Sequence, residues 1–328
     1  MAAWELKRLG FIGLGTMGLP MAVNLAKKLP GVTLYAYDIS REAIEQLQAG
    51  ANNDRVVACE DASEVASSVV RPTPEPLLDV LITIVPEGAH VRDVYLNEAT
   101  GVITASLAKK VLIDCSTIDT ATSTHVAARL QERDPSVAFY DAPISGGSLG
   151  AAKGTLTFMV GSSEDSPHWP LLKHLFEQMG KSIIACGAPT MGLYAKLSNN
   201  YCSAMIALAT SEAMNLGMRS GMDPRVLARI FGASTAQSTI CDKWCPVPGV
   251  VPDAPSTHGY QGGFKVQLMQ KDLSLALEAA QTVGAKMHLG SAGLDVYAGA
   301  ARDPNCRDLD SRVVFRYIGG NEEWMKTP

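Results

Sequence analysis

The 328-residue sequence contains no run of 18 or more apolar residues, so it offers no membrane-spanning helix. Even its longest apolar stretch, Leu193 to Met218, is broken by Lys196, Asn199, Asn200, Ser211, Glu212 and Asn215. An excess of basic charge is also missing. With 28 Lys and Arg against 33 Asp and Glu, the formal net charge is −5 and the pI about 5.7, which argues against an electrostatic nucleic-acid footprint. The seven cysteines are scattered and odd in number, as expected of free thiols in a reducing compartment. Cys241 and Cys245 are the closest pair and no second pair completes a zinc site; no His-Glu-x-x-His occurs among the six histidines, so no metal is expected. The opening Met-Ala-Ala-Trp-Glu-Leu-Lys-Arg-Leu reads as neither a signal peptide nor an Arg/Ser-rich presequence. The expectation is a protein that stays where it is made, or one whose targeting segment lies upstream of this sequence.

What is present is ordinary in bulk: 47% hydrophobic and 19% charged residues, in a chain long enough for two domains. The order of motifs is more informative. Arg8 to Ile12 reads as a strand, followed by Gly13-Leu14-Gly15-Thr16-Met17-Gly18 and an amphipathic run to Leu29. Between a strand and a helix these glycines allow a tight turn, a close approach of pyrophosphate and packing of helix on strand, with the helix N-terminus facing the phosphates. A second strand, Val32 to Tyr37, ends in Asp38, about twenty residues after the glycines. A carboxylate there accepts hydrogen bonds from ribose hydroxyls and repels a 2′-phosphate, which favours NAD over NADP; it also suits capping of the helix that begins near Ser40. A helix capped by Asp61, with Glu64 three residues on, precedes a strand from Val80 to Val85. Between them Arg71-Pro-Thr-Pro-Glu-Pro76 cannot be regular helix and reads as a surface excursion. Strand Val111 to Asp114 leads to Ser116 and Thr117. Ligands of doubly wound sheets sit beyond the strands' carboxyl ends, so Val85, Pro86, Ser116 and Thr117 should face the cofactor. Strand Ala138 to Asp141 runs into Ala142-Pro143-Ile144-Ser145-Gly146-Gly147, where adjacent backbone N–H groups form a concavity for an anion, or simply a turn.

From Leu193 to Met218 there is no proline, and Gly217 is the only glycine. Such a stretch of some 26 residues would span about 39 Å as a helix, enough to pass from one domain into the next. Being apolar nearly all round, it should be buried. Lys196 and Asn200, four apart, share a face. A lysine that snorkels to the surface beside capping asparagines would fit these residues; so would a catalytic base, since burial and a nearby helix N-terminus both disfavour the ammonium. Farther on, Asp223-Pro224 starts a helix, and Cys245 to Gly263 is rich in Pro and Gly, which marks a functional or mobile segment. Phe264 to Ala280 reads as helix and carries Lys271-Asp272, which alone would be a solvated pair.

In this order the pieces resemble the β-hydroxyacid dehydrogenase family. The resemblance runs from Phe11 to about Gly293. It rests on Gly13 to Gly18 with Met21-Ala22-x-Asn24-Leu25, on Asp141 to Gly147 with Gly154-Thr-Leu-Thr157, on Lys196 with Asn199-Asn200, and on Leu268-Met-x-Lys271-Asp272-Leu273. Pro246-Val-Pro-Gly-Val250 with Tyr260-Gln-Gly-Gly-Phe264 points to the hydroxyisobutyrate branch. The resemblance implies an α/β Rossmann-like NAD-binding domain over 1–190, a long interdomain helix near 193–219, and an all-α C-terminal domain over 191–328 that pairs subunits into a homodimer or homotetramer. It implies Lys196 as the acid/base, Asn200, Ser116 and Ser145-Gly146-Gly147 at the substrate, and Gly13, Leu14, Gly15, Thr16, Met17, Gly18, Asp38, Val85, Pro86, His90, Thr117 and Lys271 at the cofactor. The expected reaction is NAD-dependent oxidation of a small hydroxyacid in valine catabolism, in the mitochondrial matrix of a eukaryote or the cytoplasm otherwise. An NADPH-linked reductase of glyoxylate or succinic semialdehyde is the nearest alternative. A chromatin-associated binding module of the same fold is disfavoured by the presence of Lys196 and the acidic charge. Two departures stand out: Leu193 where the family often has Gln, and the longer excursion at 71–76.

Overall fold

The computed structural model describes residues 6–51, 55–69 and 80–326, and divides into two compact units, Met1–Lys196 and Leu197–Pro328. The Pro-rich stretch at 71–76 lies outside the described residues.

The first unit alternates strand and helix: β1 (Arg8–Ile12), α1 (Gly18–Lys28), β2 (Thr33–Tyr37), α2 (Arg41–Ala51), β3 (Val56–Ala58), α3 (Ala62–Ser68), β4 (Val80–Thr83), α4 (Gly88–Leu96), β5 (Val111–Asp114), α5 (Thr120–Arg133) and β6 (Ala138–Asp141). These six strands form one parallel sheet in the order β3-β2-β1-β4-β5-β6. Parallel strands covered on both faces carry continuous apolar runs rather than alternation, and β4 (Val-Leu-Ile-Thr) and β5 (Val-Leu-Ile-Asp) are buried at every position. Their side chains alternate between two cores. Val80, Ile82, Val111 and Ile113 join Met21 and Leu25 of α1 on one face. Leu81 and Leu112 join Val65 of α3, Val91 and Tyr95 of α4 and Val126 of α5 on the other. A smaller sheet follows, built of β7 (Ile144–Ser145), β8 (Leu156–Val160) and β9 (Gly180–Ala185), with α6 (Gly147–Lys153) and α7 (Trp169–Glu177) between its strands.

Asp61 caps α3 as expected, accepting from Glu64 N at 2.7 Å, but the Glu64 carboxylate returns to Glu60 N, one residue before the cap. β4 ends at Thr83, so Val85 and Pro86 belong to the turn beyond it.

Helix α8 (Met191–Arg219) starts in the first unit and continues into the second. Its burial departs from expectation. A stripe at helical spacing is buried (Leu193, Lys196, Leu197, Asn200, Ala204, Ala207, Leu208, Ser211, Met214), while Ser198, Asn199, Cys202, Glu212 and Leu216 are exposed. Apart from Leu216, small and polar residues make up that outer face, so an overall apolar composition conceals a one-sided helix.

The second unit continues with α9 (Pro224–Ala233), α10 (Thr239–Lys243), α11 (Val266–Thr282), α12 (Gly290–Arg302) and the short α13 (Val314–Tyr317). The proline of α9 is at its first position, behind an Asp223 cap that accepts from Arg225 N. The Pro- and Gly-rich stretch before α11 is firmly packed. Tyr260 is fully buried and donates from its hydroxyl to Pro246 O at 2.9 Å, Ser256 Oγ donates to Cys245 O at 2.6 Å, and Trp324 Nε1 donates to Pro248 O at 2.9 Å. Side chains thus satisfy carbonyls that regular structure leaves open.

Candidate active site at the carboxyl edge of the sheet

The strand order reverses between β1 and β4, and the turns that leave their carboxyl ends carry the glycine motif and Val85-Pro86. Gly13 follows β1 with φ +94°, a conformation that glycine adopts without a Cβ penalty. A Cβ on Gly13 would strike the Ile84 carbonyl, and one on Gly18 would strike the Gly13 carbonyl, whereas a Cβ on Gly15 would meet nothing within 4 Å. The first and last glycines therefore let turn, strand and helix close up, and the middle one leaves an open, exposed face. Asp38 ties this turn to β2: Oδ2 accepts from Leu14 N at 2.6 Å and Oδ1 from Ser40 N at 2.8 Å. Each carboxylate oxygen keeps a further lone pair for a ribose hydroxyl. Thr16, Pro86 and His90 are exposed; Met17, Val85 and Thr117 are half-buried. This cradle fits a dinucleotide.

The ends of β4 and β5 are joined by a buried polar network. Asp114 Oδ1 accepts from Thr83 Oγ1 (2.9 Å), Ser116 Oγ (2.6 Å) and Ser116 N (3.1 Å), and Tyr95 OH lies 3.0 Å from Thr83 Oγ1. Ser116 Oγ in turn accepts from Val85 N at 2.9 Å. The Ser116 hydroxyl is thereby engaged within the protein, fixing two turns of the crevice against each other. Burial pushes the Asp114 carboxyl up to about 6, against the pull of its Ser116 and Thr83 hydrogen bonds and with a further push from Asp141.

Asp141, at the end of β6, stands opposite Asp114 in the register. Four residues on, Ser145 opens the turn to α6, with Gly146 and Gly147 exposed and both at positive φ, +134° and +65°. Lys196 is buried, 7% exposed, on the second turn of α8. One turn later, in the second unit, Asn200 is also buried; its Nδ2 donates to Asp272 Oδ2 at 2.6 Å and its Oδ1 accepts from Asn199 Nδ2 at 3.1 Å. Asp272 is itself 2% exposed and pairs with Lys271 at 3.3 Å. Lys271-Asp272 is thus no solvated pair, since Asp272 orients the Asn200 amide. Three acidic residues went unassigned in the sequence: Asp114, Asp141 and Asp272. Their signal was a carboxylate ending a strand of the sheet, or sitting on a helix's apolar stripe.

The fold and this crevice define a dinucleotide-binding oxidoreductase, with a doubly wound N-terminal unit and an all-α C-terminal unit joined by a long helix. Two family profiles match in tandem: the NAD-binding domain of 6-phosphogluconate dehydrogenase over residues 8–187, and the NAD-binding domain of NADP-dependent 3-hydroxyisobutyrate dehydrogenase over 191–318. A probable mitochondrial 3-hydroxyisobutyrate dehydrogenase of Dictyostelium discoideum is 39% identical over 98% of this chain and 94% of its own length. An NAD-dependent L-serine dehydrogenase of Pseudomonas aeruginosa is 38% identical over 89% and 91%. Among solved structures, the Mycobacterium tuberculosis 3-hydroxyisobutyrate dehydrogenase with L-serine superposes with a TM-score of 0.84 at 33% identity, covering 96% of this chain and all of that one. The chain belongs to the 3-hydroxyisobutyrate dehydrogenase family and is an NAD-dependent oxidoreductase. Among the described residues no helix is long and apolar enough to cross a membrane, and no cluster of His, Cys, Asp and Glu could hold a metal.

Two outcomes test this geometry. Gly15→Ala should change stability by less than about 0.5 kcal/mol yet weaken NAD⁺ binding, whereas Gly18→Ala should cost about 1–3 kcal/mol through overpacking; urea unfolding and calorimetric NAD⁺ titration distinguish them. The second outcome concerns Asp114. Its folded state holds the proton more tightly than an exposed carboxyl does, so its contribution is greatest at low pH and is lost as the pH rises from about 4 through about 6. Asp114→Asn keeps the Oδ1 acceptor, and should be roughly 2–3 kcal/mol more stable than the wild type at pH 8 and no more stable near pH 4. An advantage independent of pH in urea melts would contradict this account.

Proposed function

We propose that the protein oxidises 3-hydroxyisobutyrate to methylmalonate semialdehyde with NAD⁺, using Lys196 as general base. The observation that carries this reading is the pairing of buried Lys196 with buried Asn200, one turn apart on one face of α8 and with the Asn200 amide fixed by Asp272. Bound at the glycine turn and Asp38, the nicotinamide dinucleotide supplies the hydride acceptor. Neutral Lys196 takes the proton of the substrate's 3-hydroxyl as the carbon beneath it is oxidised. Asn200 orients the hydroxyl and then the aldehyde oxygen. Ser145-Gly146-Gly147 receives the substrate carboxylate through backbone N–H groups and the Ser145 hydroxyl, and Ser116 shapes the wall beside it. Val85, Pro86, His90, Thr117 and Lys271 line the cofactor side. Positioning lowers the barrier by holding the reacting groups in a near-attack arrangement. The Asp38 carboxylate supports NAD⁺ over NADP⁺. We further propose that the C-terminal unit carries the subunit contact of a dimer or tetramer, and that a eukaryotic source would place the enzyme in the mitochondrial matrix.

A second reading takes L-serine as substrate, because a close relative is named for that activity and serine shares the 3-hydroxyl and the carboxylate. Initial rates with (S)-3-hydroxyisobutyrate and L-serine, each with NAD⁺ and NADP⁺, separate the cases. The expected result is the highest kcat/KM with 3-hydroxyisobutyrate and NAD⁺. A preference for L-serine would transfer the substrate assignment, a preference for NADP⁺ would overturn the role given to Asp38, and no turnover of either acid would overturn the proposed reaction.

A further inference from the structure

Helix α8 begins in an unusual way. The residue before it, Thr190, has φ +68°, a left-handed conformation that a β-branched residue rarely adopts and that costs on the order of what a hydrogen bond returns. What holds this turn is a carboxylate about fifty positions earlier in the chain. Asp141 Oδ1 accepts from Thr190 N at 2.7 Å, and Oδ2 accepts from Leu193 N at 2.9 Å. These are donors that a helix start leaves without an intrahelical partner. The approach is close from every side. A Cβ on Gly161 would strike Asp141 Oδ1, and a Cβ on Gly192 would strike the Met159 carbonyl and crowd Asp141 Oδ2. Two glycines, a strained threonine and a buried carboxylate therefore converge where β6, β8 and the first turn of α8 meet, all within the first unit.

We propose that Asp141 is a positioning residue for the reaction: a cap supplied from β6 that fixes the first turn of α8, and with it Lys196, against the end of that strand, four residues before the Ser145-Gly146-Gly147 turn begins. An ordinary cap lies in sequence just before its helix and fixes only the local backbone. This one ties the helix to the sheet edge, so that base and carboxylate turn are referred to the same point. It acts three to six residues before Lys196 along the helix, through the N–H groups of Leu193 and Thr190. The titratable groups beside it are Asp114 on β5 and Cys186 after β9. Burial raises the Asp141 carboxyl from its ordinary range, and the N–H groups of Leu193, Thr190 and Gly192 oppose that rise.

The inference rests on Lys196 being the base, and its test separates the two. The pH profile of kcat and the KM for NAD⁺ are measured for the wild type, Lys196→Met, Asp141→Asn and Gly192→Ala, with Asp223→Ala as a control that removes an ordinary cap from α9. Thermal melts monitored by circular dichroism confirm that each variant is folded. Asp141→Asn, which keeps one acceptor and loses the charge, should lower kcat by roughly 10²-fold, as expected for a displacement near 1 Å, with KM for NAD⁺ nearly unchanged. Gly192→Ala keeps the carboxylate but displaces the turn, and should lower kcat likewise. Asp223→Ala should leave kcat and the KM for NAD⁺ as in the wild type. If Lys196→Met retains kcat and the acidic limb, the base assignment fails and the role of Asp141 fails with it. If Lys196→Met abolishes turnover while folded Asp141→Asn and Gly192→Ala keep wild-type kcat, the positioning role alone is overturned.

Discussion

The site depends on carboxylates buried at the carboxyl edge of a parallel sheet. Asp114 and Asp141 are register neighbours on β5 and β6, both nearly inaccessible to water. An unpaired buried charge is costly, so each is held by converging donors: hydroxyls and an N–H at Asp114, helix-start N–H groups at Asp141. That requirement is what locks the turns. Removing a donor leaves a carboxylate unsatisfied, so the Val85 and Ser116 turns and the start of α8 are all drawn to fixed points on the sheet. Asp272 repeats the device in the second unit, where it holds the Asn200 amide. The Ser116 hydroxyl and the Asn200 amide are each oriented in this way by a buried acid.

The same edge explains how strain is tolerated. Thr190 in a left-handed conformation would be unfavourable in an isolated peptide, and the Asp141 hydrogen bond offsets it at the point where the helix bearing Lys196 begins. The glycines Gly13, Gly18, Gly161 and Gly192 mark where backbones approach too closely for any side chain, and Gly15 marks where space is left open. Rigid packing and an open face therefore alternate along the crevice, as a site that must grip a dinucleotide and still admit it requires.

Much of this was legible in the chain. The parallel strands announce themselves as short apolar runs, and the glycine motif with Asp38 is a local pattern whose geometry is dictated by sterics. Lys196 and Asn200 were visible because helical periodicity places them on one face. The acidic residues that hold the site were not, since their partners lie tens of residues away: Asp141 and Leu193 are 52 positions apart, and Asn200 and Asp272 are 72. The segment before α11 was legible only in part for a related reason. Proline and glycine signalled irregular backbone correctly, but its packing comes from Tyr260, Ser256 and Trp324 bonding to carbonyls outside regular structure, which composition does not register. Helix α8 misled in the opposite sense: its average hydrophobicity hid a stripe that only alignment by turn reveals.

The central claim is that an amine at position 196 removes the substrate's hydroxyl proton. Its most direct test is Lys196→Ala assayed in the presence and absence of small primary amines. The account predicts a kcat at least about 10²-fold below the wild type, unchanged affinity for NAD⁺, and partial recovery that follows the concentration of unprotonated amine. A variant that turns over near the wild-type rate without added amine would contradict it.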